Sequence, residues 1–272
     1  MFKRIDLPEL EDYPFIPSWY RDLMTDCLQE LSLRTRAYDS VITQLEKLLN
    51  NSKERQIIDF GSGGGGPWIH TLFPRLLMKF PDLKLKLTDL FPNLDAATNI
   101  EKAGLTDRVE YISKPVDMTE HLEEIKGTRI MFTCFHHLTH KNARKVLQNV
   151  VNAKAAFGIF EVTGRSLKHF LAVLAIPFLV LAVTPFISGK RLQRICFTYL
   201  LPIVPLGCLW DGIASNFRTY SAKELQEMLS LLQNSKDYIF ELGEFKALGP
   251  RMGTYLLGYS KDAETANVQL LP

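Results

Sequence analysis

A chain of 272 residues with 46% apolar content has enough hydrophobic material for one enlarged α/β domain, which at this size buries roughly three quarters of its unfolded surface. A formal charge of +2 leaves no electrostatic footprint for nucleic acid. Cys27, Cys134, Cys196 and Cys208 are widely spaced, with no CxxC pair and no His/Cys cluster, which argues for a reducing compartment and against a structural zinc site.

The first residues, Met1-Phe2-Lys3-Arg4-Ile5-Asp6, lack the apolar core of a secretory signal, so secretion is not expected. Residues 1 to 18 are rich in proline and acids (Pro8, Glu9, Glu11, Asp12, Pro14, Pro17) and read as an extended lead-in. From 18 to about 50 the pattern is helical: Trp19, Leu23, Cys27 and Leu31 recur every four residues, and Leu45, Leu48 and Leu49 repeat the theme.

Residues 56 to 60 give a short apolar strand containing Asp59, followed at once by Gly61-Ser62-Gly63-Gly64-Gly65-Gly66-Pro67-Trp68 and a helix-like stretch to residue 80. Glycine suits such a turn because the backbone bends sharply and a ligand can lie against it without a Cβ in the way. Three readings fit the run. Gly61-x-Gly63-x-x-Gly66 has dinucleotide spacing, Asp59-x-Gly61-x-Gly63-x-Gly65 has the spacing of an S-adenosylmethionine (SAM) loop, and four glycines in a row also fit a flexible loop. Residues 83 to 87 alternate leucine with Lys84 and Lys86 and end at Thr88-Asp89. A carboxylate at that strand tip can accept from two ribose hydroxyls, in either cofactor class. A third strand over 108 to 112 precedes Val116-Asp117-Met118. Asp117 reads as an N-cap for a helix over 119 to 125 or as a ligand-edge acid, and three acids in register with three successive strands favour the latter.

Residues 128 to 135 are a continuous apolar run suited to a central parallel strand, which delivers His136, His137 and His140 to the carboxyl edge of the sheet. A helix over 141 to 153 leads to a fifth strand, 156 to 160, ending at Glu161. Residues 170 to 188 and 195 to 210 then carry no charge and are separated by Gly189-Lys190-Arg191-Leu192-Gln193-Arg194. The first run is long enough to span a bilayer, but both flanks must return to one sheet. A two-span hairpin would put Lys190, Arg191 and Arg194 on the far side, against the positive-inside tendency, and Pro177, Pro185, Pro202 and Pro205 break both runs. An in-plane element whose basic residues meet anionic headgroups is favoured, with a lid on the domain or a dimer interface as the competing reading. Asp211, Arg218 and Tyr220 at the seam are expected to anchor the insertion rather than touch substrate. Ser221-x-x-Glu224 opens a helix as a capping box, and residues 238 to 245 and 253 to 259 give two strands joined through Gly249-Pro250.

With these residues in place, the chain resembles a class I SAM-dependent methyltransferase over 56 to 162 and 221 to 261, its Gly-Gly-Pro-Trp loop ending suggesting a distinct subgroup. The resemblance implies an α/β fold with a Rossmann-like seven-stranded sheet. It divides the chain into an N-terminal helical cover (1 to 50), a SAM-binding core (51 to 164), an apolar helical insertion (165 to 220), and a helix and β-hairpin completing the core (221 to 272). Tyr13, Trp19 and Tyr20 are the candidates for covering the cofactor cleft. The resemblance implies SAM as cofactor, with Asp59 near the methionine ammonium, Gly61, Gly63 and Gly65 beneath the cofactor, Asp89 on the ribose, and Asp117 and Met118 at the adenine. The closing hairpin speaks against a nicotinamide enzyme, as does the lack of any Tyr-x-x-x-Lys pair.

Methyl transfer is an in-line displacement in which the protein aligns donor and nucleophile and removes a proton where one is present. His136, His137 and Glu161 are the catalytic candidates, histidine because its pKa lies near neutrality. Of two adjacent histidines on a strand end, one is expected to point away from the cleft. A metal set of His136, His137, His140 and Glu161 lacks the flanking acidic pair of metal-dependent methyltransferases, and no metal is expected. The expected function is methyl transfer to a small hydrophobic or lipid-like acceptor by a cytoplasmic chain touching the inner face of a membrane through 165 to 220, with no nucleic-acid partner. An NAD-dependent oxidoreductase and a non-catalytic SAM-fold protein binding membrane or a partner are the alternatives.

Overall fold

The computed structural model describes residues 2–52, 54–120, 126–247 and 251–261. The Gly249-Pro250 turn and most of the helix expected over 119 to 125 lie outside them. Seven strands form one sheet in the order β3-β2-β1-β4-β5-β7-β6: β1 (Gln56–Phe60), β2 (Lys84–Thr88), β3 (Val109–Tyr111), β4 (Thr128–Phe132), β5 (Phe157–Glu161), β6 (Tyr238–Ala247) and β7 (Arg251–Ser260). The first five are parallel, and β7 runs antiparallel to both β5 and β6. This is the expected seven-stranded α/β sheet with its closing hairpin. The central strands β4 and β5 are buried at every position, as apolar runs covered on both faces require.

Helices clothe both faces. Leu45, Leu48 and Leu49 of α2 (Ile42–Asn50) pack on one core with Trp68 and with Phe73 and Leu76 of α3 (Phe73–Leu77). Val146, Leu147 and Val150 of α5 (His140–Asn152) share the opposite core with Leu225 and Met228 of α10 (Ala222–Ser230). Ser221 and Glu224 make the expected reciprocal capping box at the start of α10. The helix α4 (Asp95–Lys102) lies between β2 and β3.

A third core stands apart from the sheet. Tyr20, Leu23, Met24 and Cys27 of α1 (Ser18–Thr35) pack with Val180 of α7 (Ile176–Val183) and with Val204 and Cys208 of α9 (Ile203–Arg218). The two helices expected over 18 to 50 therefore part company: α2 belongs to the sheet, α1 to the apolar insertion. The insertion itself is broken into α6 (Leu167–Val173), α7, α8 (Arg191–Ile195) and α9. Leu167–Phe186 is long and apolar enough to cross a membrane, only 22% of it is buried, and Arg191–Leu200 meets Ile203–Arg218 at a bend of 72°.

Candidate functional site

The carboxyl edge of the sheet carries two clusters. The first is the glycine loop. Gly61 follows β1 with φ +69, and a Cβ there would sit 2.8 Å from Cys134 Cβ, so only glycine fits. Ser62 locks the loop to β2: its amide donates to the Thr88 carbonyl at 3.0 Å, its hydroxyl donates to Asp59 Oδ2 at 2.6 Å, and the Thr88 amide donates to that hydroxyl at 3.1 Å. Asp59 is 1% exposed, and burial pushes its carboxyl up to about 7 against the Ser62 hydroxyl. Its Oδ1 and the Trp68 indole nitrogen are buried without a hydrogen bond of standard geometry, although the indole favours the ionised carboxyl. Asp89, at the tip of β2, accepts the Gly63 amide on Oδ2 and the Phe91 amide on Oδ1, both at 2.8 Å. Burial raises its pKa despite those two bonds. The third acid, Asp117, caps the next turn by accepting the Thr119 amide at 2.7 Å. The preceding residue, Val116, donates its amide to the Asp89 carbonyl at 2.9 Å, which holds Asp117 and Met118 beside the end of β2.

The helix α1 lies over this loop, but not through the aromatic residues expected to cover it. A Cβ on Gly64 would come within 2.6 Å of Gln29 Oε1 and 3.2 Å of Asp26 Oδ1, and one on Gly63 within 3.4 Å of Thr25 Cβ. Trp19 and Tyr20 face the other way: Trp19 stacks near Phe197, and the Tyr20 hydroxyl donates to the Ile203 carbonyl. Tyr13 sits against Phe15 and is exposed. The apolar stripe of α1 marked its buried face, and that face serves the insertion.

The second cluster gathers around the histidines, and here the structure corrects the sequence reading. The strand β4 ends at Phe132, three residues early, because Thr133 adopts φ +46 and its hydroxyl bonds Tyr38 Oη at 2.5 Å and accepts the Val162 amide at 3.2 Å. The histidines therefore lie on the 3₁₀ turn Phe135–His137 rather than on a strand. Strand alternation does not apply, and both rings, 4.5 Å apart, face the same carboxylate. His140 opens α5 and lies apart, its ring 6.3 Å from that of Tyr220.

That carboxylate is Glu9. The acidic lead-in is a strap across the sheet edge: the Phe2 amide donates to the Arg165 carbonyl, the Ile5 amide to the Phe217 carbonyl, the Trp210 indole to the Pro8 carbonyl, and the Leu10 amide to Asp211 Oδ1 at 2.7 Å. It delivers Glu9, 2% exposed, and Asp12 to the histidines. His136 Nδ1 lies 2.8 Å from Glu161 Oε2, and His137 Nδ1 lies 2.6 Å from Asp12 Oδ1. Arg218 closes the cluster by pairing with Asp12, approaching Glu9 Oε1 at 3.3 Å, and donating to the carbonyls of His136 and His137. Burial raises the pKa of Glu9, but His137, His136 and Arg218 outweigh it and hold the carboxyl at about 2. Burial lowers that of His136, and Glu161 and Glu9 overcome it, raising the imidazole to about 10. Asp211 and Arg218 anchor this strap, a role wider than the expected anchoring of the insertion. Tyr220 joins it, with Arg4 stacked on its ring.

Two of the three basic residues between the apolar runs are not free for headgroups as expected. Arg194 is buried and paired with Asp26, and Lys190 pairs with Asp22 and Asp95 at 2.8 Å each. Lys168 and Arg191 remain exposed.

No family model and no curated protein matches this sequence. Solved structures do. An O-methyltransferase family protein from Burkholderia thailandensis is 16% identical with a TM-score of 0.50, over 88% of this chain and 59% of that one. An O-methyltransferase family 2 protein from Planctomyces limnophilus, in complex with apigenin, is 15% identical with a TM-score of 0.50, over 94% and 63%. An O-methyltransferase from neocarzinostatin biosynthesis, in complex with SAM and 2-hydroxy-5-methyl naphthoic acid, is 14% identical with a TM-score of 0.50, over 86% and 56%. The matched part of each relative is thus less than two thirds of its length, and the likeness is one of fold.

Proposed function

We propose that this chain is a SAM-dependent methyltransferase acting on a small hydrophobic acceptor. The observation that carries the reading is Asp59 Oδ1, a buried carboxylate oxygen at the foot of the glycine loop that makes no hydrogen bond of standard geometry, with the Trp68 indole beside the carboxyl. It has the chemistry to take an ammonium, and Asp89 and Asp117 follow at the ends of the next two parallel strands. SAM, when bound, supplies a methyl group already activated by its sulfonium. Asp59 would hold the methionine ammonium, Asp89 the ribose hydroxyls with its remaining lone pairs, and Asp117 and Met118 the adenine, while Gly61, Gly63 and Gly65 let the backbone approach. Gln29, which covers Gly64 and Gly65, is the side chain that admission of the cofactor must displace. His137 is the proton acceptor, since it is the more exposed of the two imidazoles and Asp12 orients it. His136, pinned between Glu161 and Glu9, positions the turn.

The acceptor class follows from the insertion. Phe178, Leu192 and Leu200 are 72%, 85% and 74% exposed, and residues 166 to 210 contain no acidic side chain. An apolar surface with exposed Lys168 and Arg191 suits the anionic face of a membrane. This reading places a cytoplasmic enzyme in the plane of the inner membrane face, where a lipid-like acceptor enters beside α9. The test is transfer of labelled methyl from SAM to hydrophobic hydroxylated acceptors with anionic vesicles present. Transfer is expected from the wild type and at least tenfold less from His137→Ala. Failure of the chain to bind SAM would leave an interaction protein on this scaffold. In vesicle flotation, Phe178→Ser with Leu192→Ser is expected to release the chain, and undiminished flotation would sink the membrane assignment.

A further inference from the structure

We propose that Glu9, His136 and His137 form a binding site for a divalent transition-metal ion of the zinc class. Their ligand atoms all lie within 4.8 Å of one another. Glu9 Oε1 is 3.6 Å from His136 Nε2, and Glu9 Oε2 is 3.6 Å from His137 Nε2. Those separations exceed hydrogen-bond length. They approach the ~3.3 Å edge of a tetrahedron built from zinc bonds of about 2.0–2.1 Å. His136 Nε2 is also buried without a hydrogen-bond partner, in a side chain 1% exposed, and the cation at Glu9 Oε1 is the Arg218 guanidinium at 3.3 Å. An orphaned buried nitrogen is costly, and an ion between it and Glu9 satisfies it.

The groups behind the ligands give independent support. A metal-bound histidine characteristically donates its other ring N–H to a carboxylate, which fixes the tautomer and raises ligand basicity. Both histidines have that partner on Nδ1, Glu161 for His136 and Asp12 for His137. With Nδ1 protonated and the ion in place of the Nε2 proton, each Nε2 directs its lone pair toward the ion beside Glu9. Ser215 Oγ donates to Glu9 Oε2 at 2.8 Å and steadies the carboxylate.

Charge points the same way. Glu9, Asp12 and Glu161 bring three negative charges and Arg218 one positive charge, so two negative charges are left for protons on the imidazoles or for an ion to balance. Asp211, bonded to the Leu10 and Glu11 amides, adds no cation. A divalent ion supplies the missing charge where the three ligands converge. Two imidazoles and one carboxylate suit zinc, cobalt or nickel better than magnesium or calcium, which prefer all-oxygen sets. Ion and proton are exclusive occupants of both Nε2 atoms, and the protonated imidazoles belong to the ion-free state of the reading above. The inference does not rest on methyl transfer, because binding is read with neither cofactor nor acceptor present.

The full chain, purified without a histidine tag and stripped with chelator, is titrated with zinc chloride by calorimetry and with cobalt chloride by visible absorption. One ion per chain is expected, with the intense visible bands of four-coordinate cobalt. Glu9→Gln keeps the side-chain shape and is expected to weaken zinc at least tenfold. Asp12→Asn, acting through His137, is expected to weaken it by about 10–100-fold. Circular dichroism checks each fold, and His137→Asn, at the half-exposed ligand, replaces any variant that fails to fold. Cys196→Ser is expected to leave binding unchanged. Absence of binding to the stripped wild type, or stoichiometric binding that survives Glu9→Gln and His137→Asn, overturns the proposal.

Discussion

The two halves of the carboxyl edge are built in opposite ways. The glycine-loop half comes from one continuous stretch, Asp59 to Trp68, tied to the neighbouring strand by Ser62, Thr88 and Asp89. The histidine half is assembled from four distant segments: the strap with Glu9 and Asp12, the turn after β4, Glu161 at the end of β5, and Ser215 and Arg218 near the end of α9. The first half is mainly backbone geometry around one buried acid. The second is a charge network whose members are stable only in one another's company. On the proposed reading, the seat for the cofactor is local, whereas the seat for the acceptor is assembled from the four distant segments.

The hardest way to break that contrast is to remove Arg218. Arg218→Met leaves Glu9 and Asp12 without their guanidinium and is expected to destabilise the fold by about 3–5 kcal/mol, as for other broken buried pairs. Urea unfolding measures it, and a loss below 1 kcal/mol would show that the network is not cooperative. The glycine-loop half has a different signature, in pH. Asp59 keeps its proton in the folded chain up to about 7 but releases it near 3.8 when unfolded. The folded state therefore binds the extra proton between those values, and stability falls as pH rises through that window. The loss is on the order of 4 kcal/mol, at about 1.4 kcal/mol per unit. Asp59→Asn is expected to flatten this slope, and an unchanged pH profile in that variant would refute the assignment.

Asp89→Ala sharpens the comparison by testing ligand rather than fold. Each charge-assisted hydrogen bond is worth about 1.5–3 kcal/mol, so affinity for S-adenosylhomocysteine should drop at least tenfold. Equal affinity would remove Asp89 from the ribose. The smallest effect lies outside both halves. Ser221→Ala undoes the capping box of α10 and should cost about 1 kcal/mol in thermal unfolding, with no change in ligand binding.

Legibility in the sequence follows the same division. The limits of β1, the glycine run, the acids at 59, 89 and 117, the capping box and the closing strands all follow from neighbours a few residues apart. The insertion was visible as uncharged runs, and its breakage as prolines. What stayed hidden is long-range. Glu9 and Asp12 lie in a stretch without helix or strand period, so nothing local marks them as partners of His136 and His137. The left-handed Thr133, which ends β4 and turns both rings to one side, sits inside an apolar run that reads as uninterrupted strand. Lys190 and Arg194 look solvent-facing until α1 brings Asp22 and Asp26 to them. The acids at 9 and 12 and the base at 218 are legible in the sequence as charges, and only their pairing is not.

The central claim is that the glycine-loop half seats SAM. Calorimetric titration of the full chain with S-adenosylhomocysteine, with NAD in parallel, tests it most directly. Saturable micromolar binding of S-adenosylhomocysteine alone, weakened in Asp89→Ala, is the predicted result. Binding of NAD instead, or of neither ligand with the chain folded, would contradict the account.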